Sequence, residues 1–307
     1  MMKIVKDDLL EVAEKYGDDR RTKIVKGGVK QLSQEDLVPD EESVLVLTQG
    51  GYVKRTNPSE YRTQKRGGVG VIDLNTKEED VVTTLLTTST HSDLLFFTNR
   101  GKVYQSKMFE IPEGRRATKG KSIMNFLSLT SEESITSVLA VRKDANAGDW
   151  SLMMITKNGV AKKCDAEAFK DVRRSGLIAI TLKPEDSLIS ARFVGKGDEV
   201  SLVTLNGQAI RFKESDVRQM GRTAGGVAAV RLGKNDVVVS ADVITKGDKN
   251  NEILIVTQHG YGKTTPTKEY KVQKRGGSGI KTAKVTSKTG TIVCGIVLKE
   301  DERTEGS

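Results

Sequence analysis

Five times along the chain an apolar run enters a polar turn and re-emerges as a shorter apolar and basic run. The runs SVLVL, DLLFF, SLMMI, VSLV and EILIV lead into Thr-x-x-Gly tetrads at Thr48–Gly51, Thr98–Gly101, Thr156–Gly159, Thr204–Gly207 and Thr257–Gly260. After them come YVKR, KVYQ, VAKK, QAIRF and YGKT. An apolar run, a two-residue turn ending in glycine and a second short run predict a β-hairpin. A second glycine follows each hairpin glycine: Gly70, Gly120, Gly226 and Gly279 lie 19 residues on, and Gly176 lies 17 on. A third strand is expected after it (VGVIDL, KSIMNF, LIAITL, GVAAVRL, GIKTAKV), and then a fourth (VVTTLL, SITSVLAV, SLISARFV, VVVSADVI, IVCGIVL). Four strands in roughly fifty residues is the size of a propeller blade.

The pattern therefore predicts an all-β body over 43–300, with repeats at about 43–91, 92–143, 149–196, 198–246 and 251–299. Residues 1–42 read differently. Ile4, Leu9, Val12, Ala13 and Tyr16 recur at helical spacing and Gly17 is a stop signal, so a short helix is expected, followed by a polar linker. Residues 301–307 form an acidic tail.

Charge changes the picture next. Residues 1–42 hold 8 Lys/Arg against 11 Asp/Glu and residues 299–307 hold 2 against 4, so of the formal net charge of +9 the body from Ser43 to Leu298 carries +14. A strongly positive folded body points to a polyanion. Two cysteines (Cys164, Cys294) and two histidines (His91, His259) argue against a disulfide framework or a Cys/His zinc site. The cysteines are expected as small reduced hydrophobes and the histidines as surface residues. No apolar run approaches the ~18 residues of a membrane span, and a cytoplasmic chain is expected.

The positive charge recurs in register. Just before each second glycine stand Lys65 and Arg66; Arg115, Arg116 and Lys119; Arg173 and Arg174; Arg222; and Lys274 and Arg275. In a radial array these loops fall at one level around the rim, a track for a curved polyanion. Duplex DNA offers one negative charge per ~1.7 Å of axis, and each phosphate neutralised releases counterions. Glycines would let main-chain N–H groups join the contacts. Aromatic residues are only 5% of the chain, which disfavours a single-strand stacking platform. Duplex DNA bound through its backbone fits better. Against this stands the plainer reading that the glycines turn corners and the cations solubilise. GRRATKGKS (Gly114–Ser122) is one residue too long for a phosphate-binding P-loop and precedes a strand rather than a helix. GGVGVI has no strand–turn–helix around it. No catalytic constellation is found, and a propeller that binds protein partners, insensitive to salt, stays as a rival.

The stretch QGGYVKRTNPSEYRTQKRGGVG resembles the first blade of the C-terminal DNA-wrapping domain of the bacterial DNA gyrase A subunit. Within it Gln64, Lys65, Arg66, Gly67, Gly68 and Gly70 match the family's heptapeptide box, Q-[KR]-R-G-G-x-G. NRGKVYQSKMFEIPEGRRATKGKSIMNFL and GQAIRFKESDVRQMGRTAGGV resemble its second and fourth blades, and YGDDRRT the end of the preceding cleavage module. The resemblance implies a β-pinwheel, a propeller-like disc whose blades exchange strands with their neighbours. It implies chiral wrapping of duplex DNA that presents a segment to the gyrase core for ATP-dependent negative supercoiling. This chain would be non-catalytic on its own; ATP and Mg2+ would be used by other parts of the holoenzyme, and no cofactor is expected here. Its partners would be duplex DNA with weak sequence preference, the A-subunit core dimer and the ATPase B subunit. No membrane partner is expected, and the isolated domain is expected to be a monomer near the nucleoid. The box residues are the first candidate contacts; Arg115, Arg116, Lys119, Arg173, Arg174, Arg222, Lys274 and Arg275 are the others. Two departures matter. Five repeats stand where the family usually has six blades, and a second intact box, QKRGGSG (Gln273–Gly279), stands in the fifth. Topoisomerase IV, the close relative, often has fewer blades; the intact box favours gyrase.

Overall fold

The computed structural model describes residues 2–18, 22, 34–61, 80–141, 150–173, 175–248 and 250–299. The chain divides into two compact units, Met1–Leu37 and Val38–Ser307. In the first, helix α1 (Met2–Tyr16) forms where the apolar spacing predicts it, and none of its side chains is buried. The Gly17 N–H donates to the Ala13 carbonyl at 2.9 Å and closes the last turn.

In the second unit each Thr-x-x-Gly tetrad is a hairpin turn. The first hairpin strands are β1 (Glu42–Thr48), β4 (Asp93–Thr98), β8 (Trp150–Thr156), β12 (Glu199–Thr204) and β16 (Glu252–Thr257). Their partners are β2 (Tyr52–Thr56), β5 (Lys102–Lys107), β9 (Val160–Asp165), β13 (Gln208–Lys213) and β17 (Gly262–Pro266). On the other side of each first strand pairs β3 (Val82–Ser89), β7 (Ile135–Val141), β11 (Leu188–Gly195), β15 (Val238–Ile244) or β19 (Ile292–Leu298). These are the expected fourth strands, and every pairing is antiparallel.

The third strands differ from the simplest expectation in length and address. The one expected in the first repeat, VGVIDL, lies outside the described residues, and only two residues of each of the other four enter a sheet: β6 (Lys121–Ser122), β10 (Leu177–Ile178), β14 (Val227–Ala228) and β18 (Ile280–Lys281). Each joins the sheet of the preceding repeat, giving the orders β3-β1-β2-β6, β7-β4-β5-β10, β11-β8-β9-β14 and β15-β12-β13-β18. The fifth sheet, β19-β16-β17, has three strands among the described residues. The chain is thus an all-β β-pinwheel of five antiparallel blades with exchanged strands.

Packing between sheets explains the unbroken apolar runs. A strand covered on both faces reads as continuous hydrophobe rather than as an alternation. Leu94 and Phe96 of β4 pack with Leu45, Leu47 and Val53 of the first blade. Their neighbours Leu95 and Phe97 point the other way, onto Leu152 and Met154 of β8. Met153 and Ile155 of β8 meet Val200 and Leu202 of β12, and Val203 meets Ile253 and Ile255 of β16. The β3-equivalent strands also link successive blades: the Ala191 N–H donates to Ser137 Oγ at 3.0 Å, Ser190 Oγ to the Ala241 carbonyl at 3.2 Å, and the Val297 N–H to Asp242 Oδ2 at 3.0 Å.

Candidate nucleic-acid interface

The basic loops among the described residues are built against a neighbour's strand. In the second repeat the Arg55 N–H donates to the Pro112 carbonyl and the Gly114 N–H returns a bond to the Arg55 carbonyl, both at 2.9 Å. The same lacing recurs where Met220 N–H donates to the Lys163 carbonyl at 2.8 Å and Gln273 N–H to the Arg211 carbonyl at 2.8 Å. The loop then turns and enters the exchanged strand. At that turn a glycine is required: Gly120 has φ +81°, and a Cβ there would stand 2.5 Å from the Val53 carbonyl oxygen. Gly279, which ends the second box copy, has φ +72° and the same conflict with the Ala209 oxygen at 2.4 Å. These glycines answer to the preceding blade's backbone, a physical reason for their spacing that needs no phosphate.

The cations fall into two groups. Arg115, Arg173 and Lys274 have exposed side chains. Arg115 sits at a tight corner where its carbonyl accepts from Thr118 N–H at 3.0 Å and Thr118 Oγ1 at 2.7 Å. The Arg173 carbonyl accepts from the Gly176 N–H at 2.8 Å. The second group ties loops down. Arg116 donates from its N–H to Glu60 Oε2 at 2.7 Å and from Nη1 to the Glu60 carbonyl at 3.1 Å. Lys119 places Nζ 3.9 Å from the centre of the Tyr52 ring, a cation–π contact. Arg222 Nη1 donates to the Ala168 carbonyl at 3.3 Å. Arg275 donates from Nε to the Asp216 carbonyl at 2.8 Å and from Nη1 to the Ala228 carbonyl at 2.9 Å. Arg116, Arg222 and Arg275 thus hold equivalent stations, each four residues before its second glycine and each bonded to the preceding repeat, and Arg115, Lys119, Arg173 and Lys274 lie in the same set of loops. Gln64, Lys65, Arg66, Gly67, Gly68, Gly70 and Arg174 lie outside the described residues.

A further tier of exposed cations lies just past the second glycines: Lys121, Lys183, Arg231, Lys234, Lys281 and Lys284. Counting onward from those glycines, rather than stopping at them, would have found it. Also missed were the acids that cap the hairpin turns. Asp80, Asp186 and Asp236 accept from the N–H groups of Gly50, Asn158 and Asn206 at 2.8, 2.9 and 2.9 Å. Burial pushes the Asp80 carboxyl up, but hydrogen bonds from Thr48, Gly50 and Val81, with Lys119 nearby, outweigh it and hold the group below the usual carboxylate range.

Cys164 is buried, Cys294 half-buried, and both thiols are pushed up chiefly by burial. His91 is half-buried, its Nε2 2.8 Å from the Val38 carbonyl oxygen, and His259 is exposed. Among the described residues no cluster of three or more His, Cys, Asp or Glu is placed to hold a metal ion. No helix among them is long and apolar enough to cross a membrane. The arrangement offers charge neutralisation along a line of stations.

A family model described as the DNA gyrase C-terminal domain, beta-propeller, matches five times, at residues 42–89, 92–142, 151–194, 198–245 and 251–304. The A subunit of DNA gyrase from Staphylococcus epidermidis (strain ATCC 12228 / FDA PCI 1200) is 42% identical over 294 residues, which is 96% of this chain and 33% of that protein. Its counterpart from Staphylococcus aureus (strain MRSA252) is 43% identical over 294 residues, with the same shares of 96% and 33%. The chain thus spans about a third of the length of these curated relatives. Among solved structures, a DNA gyrase A C-terminal domain superposes with TM-score 0.71 at 28% identity, covering 85% of this chain and 84% of that one. The C-terminal domain of a DNA topoisomerase IV superposes with TM-score 0.69 at 28% identity, covering 86% and 79%.

Proposed function

The chain belongs to the DNA gyrase C-terminal β-propeller family, and from that premise we propose that it binds, bends and chirally wraps duplex DNA. The observation that carries the reading is the recurrence of exposed cations in the basic loops of the second to fifth repeats, Arg115, Arg173, Arg222 and Lys274 among them, on a body of strong positive charge. Phosphate contacts of this kind position a duplex without reading its sequence, and among the described residues of Val38–Ser307 there is no α-helix to enter the major groove. In this reading the domain does no chemistry itself. It hands a wrapped segment to an A-subunit core dimer, while a B subunit supplies the ATP-driven step that introduces negative supercoils. The isolated domain acts as a monomer in the cytoplasm, on the nucleoid, with no membrane partner and no cofactor of its own.

The test is to relax and religate nicked circular plasmid with increasing protein at low salt, strip the protein and read the linking number. A shift that disappears when Lys65 and Arg66 become Ala supports wrapping led by the box. Binding that falls steeply with salt, by about 0.9 in log–log slope per phosphate engaged, supports the backbone contacts. The five repeats and the likeness to the topoisomerase IV domain favour a second reading, substrate-geometry selection with weaker wrapping. Tight binding without a linking-number shift would favour it. Salt-insensitive or absent binding would sink both and leave a propeller that serves protein partners.

A further inference from the structure

The third residue after a hairpin glycine faces, in the first four repeats, the segment that arrives from the next repeat. In order these residues are Lys54, Tyr104, Lys162, Ile210 and Lys263. Tyr104 and Ile210 lie under Gly176 and Gly277. Lys54 and Lys162 occupy the same place yet are 1% and 0% exposed. An ammonium taken from water is costly unless its hydrogens find strong acceptors. Burial, with the Arg222 guanidinium acting in the same direction, pulls the Lys162 ammonium below the usual lysine range, while Cys164 opposes the shift.

The acceptors are main-chain oxygens, and for each lysine at least one belongs to the basic loop of the next repeat. Lys54 Nζ donates to the Arg116 carbonyl and, at 3.1 Å, to the Thr118 carbonyl. Lys162 Nζ donates to the Arg222 carbonyl and, at 2.7 Å, to the Ala179 carbonyl. Arg116 and Arg222 each stand four residues before the second glycine of their repeat, so both lysines grip the same point. The loop leaves the sheet ladder there, and the ammonium supplies its main-chain carbonyls with a donor in place of a ladder partner. Lys263, on the last sheet, is exposed and reaches the Thr282 carbonyl at 3.4 Å.

We propose that Lys54 and Lys162 are positioning residues for the nucleic-acid interface, holding the basic loops of the second and fourth repeats by their carbonyls so that the loop cations stand at fixed stations. This rests on the DNA-binding reading above. Lys54 thereby sets Arg115, Arg116 and Lys119, and Lys162 sets Arg222. Neither lysine touches DNA; each acts through the main chain of the loop above it.

The test uses Lys54→Met and Lys162→Met in the full chain, with Lys54→Gln and Lys162→Gln, which keep a neutral donor, should a Met variant fail to fold. Two readouts are taken. Limited tryptic cleavage after Arg115 and Arg116 (Lys54 variants) or after Arg222 (Lys162 variants) should rise about tenfold as the loop opens. Cleavage after Lys274 and Arg275, over Ile210, should stay as in the parent. The salt slope of plasmid binding should fall by about 2.7 for the Lys54 variants, since three loop cations lose their stations. Unchanged cleavage would overturn the proposal, and so would weaker binding at an unchanged salt slope, which is what a merely stabilising lysine gives. If the parent binds no DNA while loop cleavage still rises in the variants, the DNA reading fails and the lysine grip on the loops stands.

Discussion

Tyr104 illustrates how a position shared by every repeat acquires a local electrostatic character. Its ring lies beneath Gly176 and its hydroxyl donates to Glu133 Oε2 at 3.0 Å. Burial, then the hydrogen bond and charge of Glu133, push its pKa up to about 12, against about 10 for a free tyrosine. A folded value above the unfolded one means that this contribution is complete below pH about 10 and is lost as pH rises towards 12. The urea midpoint should therefore fall over that range in the parent, and Tyr104→Phe should remove that part of the fall. Identical declines in both would refute the assignment. At this scale the surface cations were legible in the sequence and the buried lysines were not. VAKK contains two lysines, and nothing local says that Lys162 turns inward while Lys163 pairs with Glu214. Its two acceptors, the Ala179 carbonyl and the Arg222 carbonyl in the loop of the next repeat some sixty residues on, are both supplied by segments outside its own hairpin.

At the scale of the strand, the lesson is two-sided burial. Leu152 is fully buried between blades, whereas Leu254, on the last first-strand, is half-buried beside fully covered Ile253 and Ile255. Leu152→Ala should cost about 2–5 kcal/mol and Leu254→Ala about 1 kcal/mol or less, measured by urea unfolding. Equal losses would mean that the fifth blade is covered as the interior ones are. The hairpins were readable because both strands and their turn are local, with Gly101 at φ +74° where the tetrad requires it. The two-residue third strands were not readable as exchanged. An apolar stretch after a glycine has the same pattern whether it pairs within its own repeat or one back, and the family resemblance, not periodicity, carried that point.

Over the Val38–Ser307 unit, the packing between blades joins each blade to its neighbours, the condition under which stability approaches a sum over repeats and their interfaces. Lys196-Gly197-Asp198 and Lys246-Gly247-Asp248 are identical tripeptides, with both glycines at positive φ, 95° and 93°. Excising residues 198–247 joins one to the other without a scar. Met153 and Ile155 would then meet Ile253 and Ile255 in place of Val200 and Leu202. The product should unfold cooperatively with a urea m-value lower by about a fifth, in proportion to the surface removed. Loss of cooperativity would show that stability is pooled around the whole array. The charge of this unit was readable from counting alone; the neighbour-by-neighbour cohesion was not, because every contact that makes it is non-local.

The exchange of short strands puts heredity and folding out of phase by one strand. The second to fifth repeats lend β6, β10, β14 and β18 backwards, and the first four borrow them. Unequal crossing-over between two copies moves one repeat's worth of coding sequence, and whatever it adds or removes leaves every interior sheet complete. Blade number can therefore drift between generations without passing through a half-built intermediate, and the arc of basic surface lengthens or shortens in whole steps.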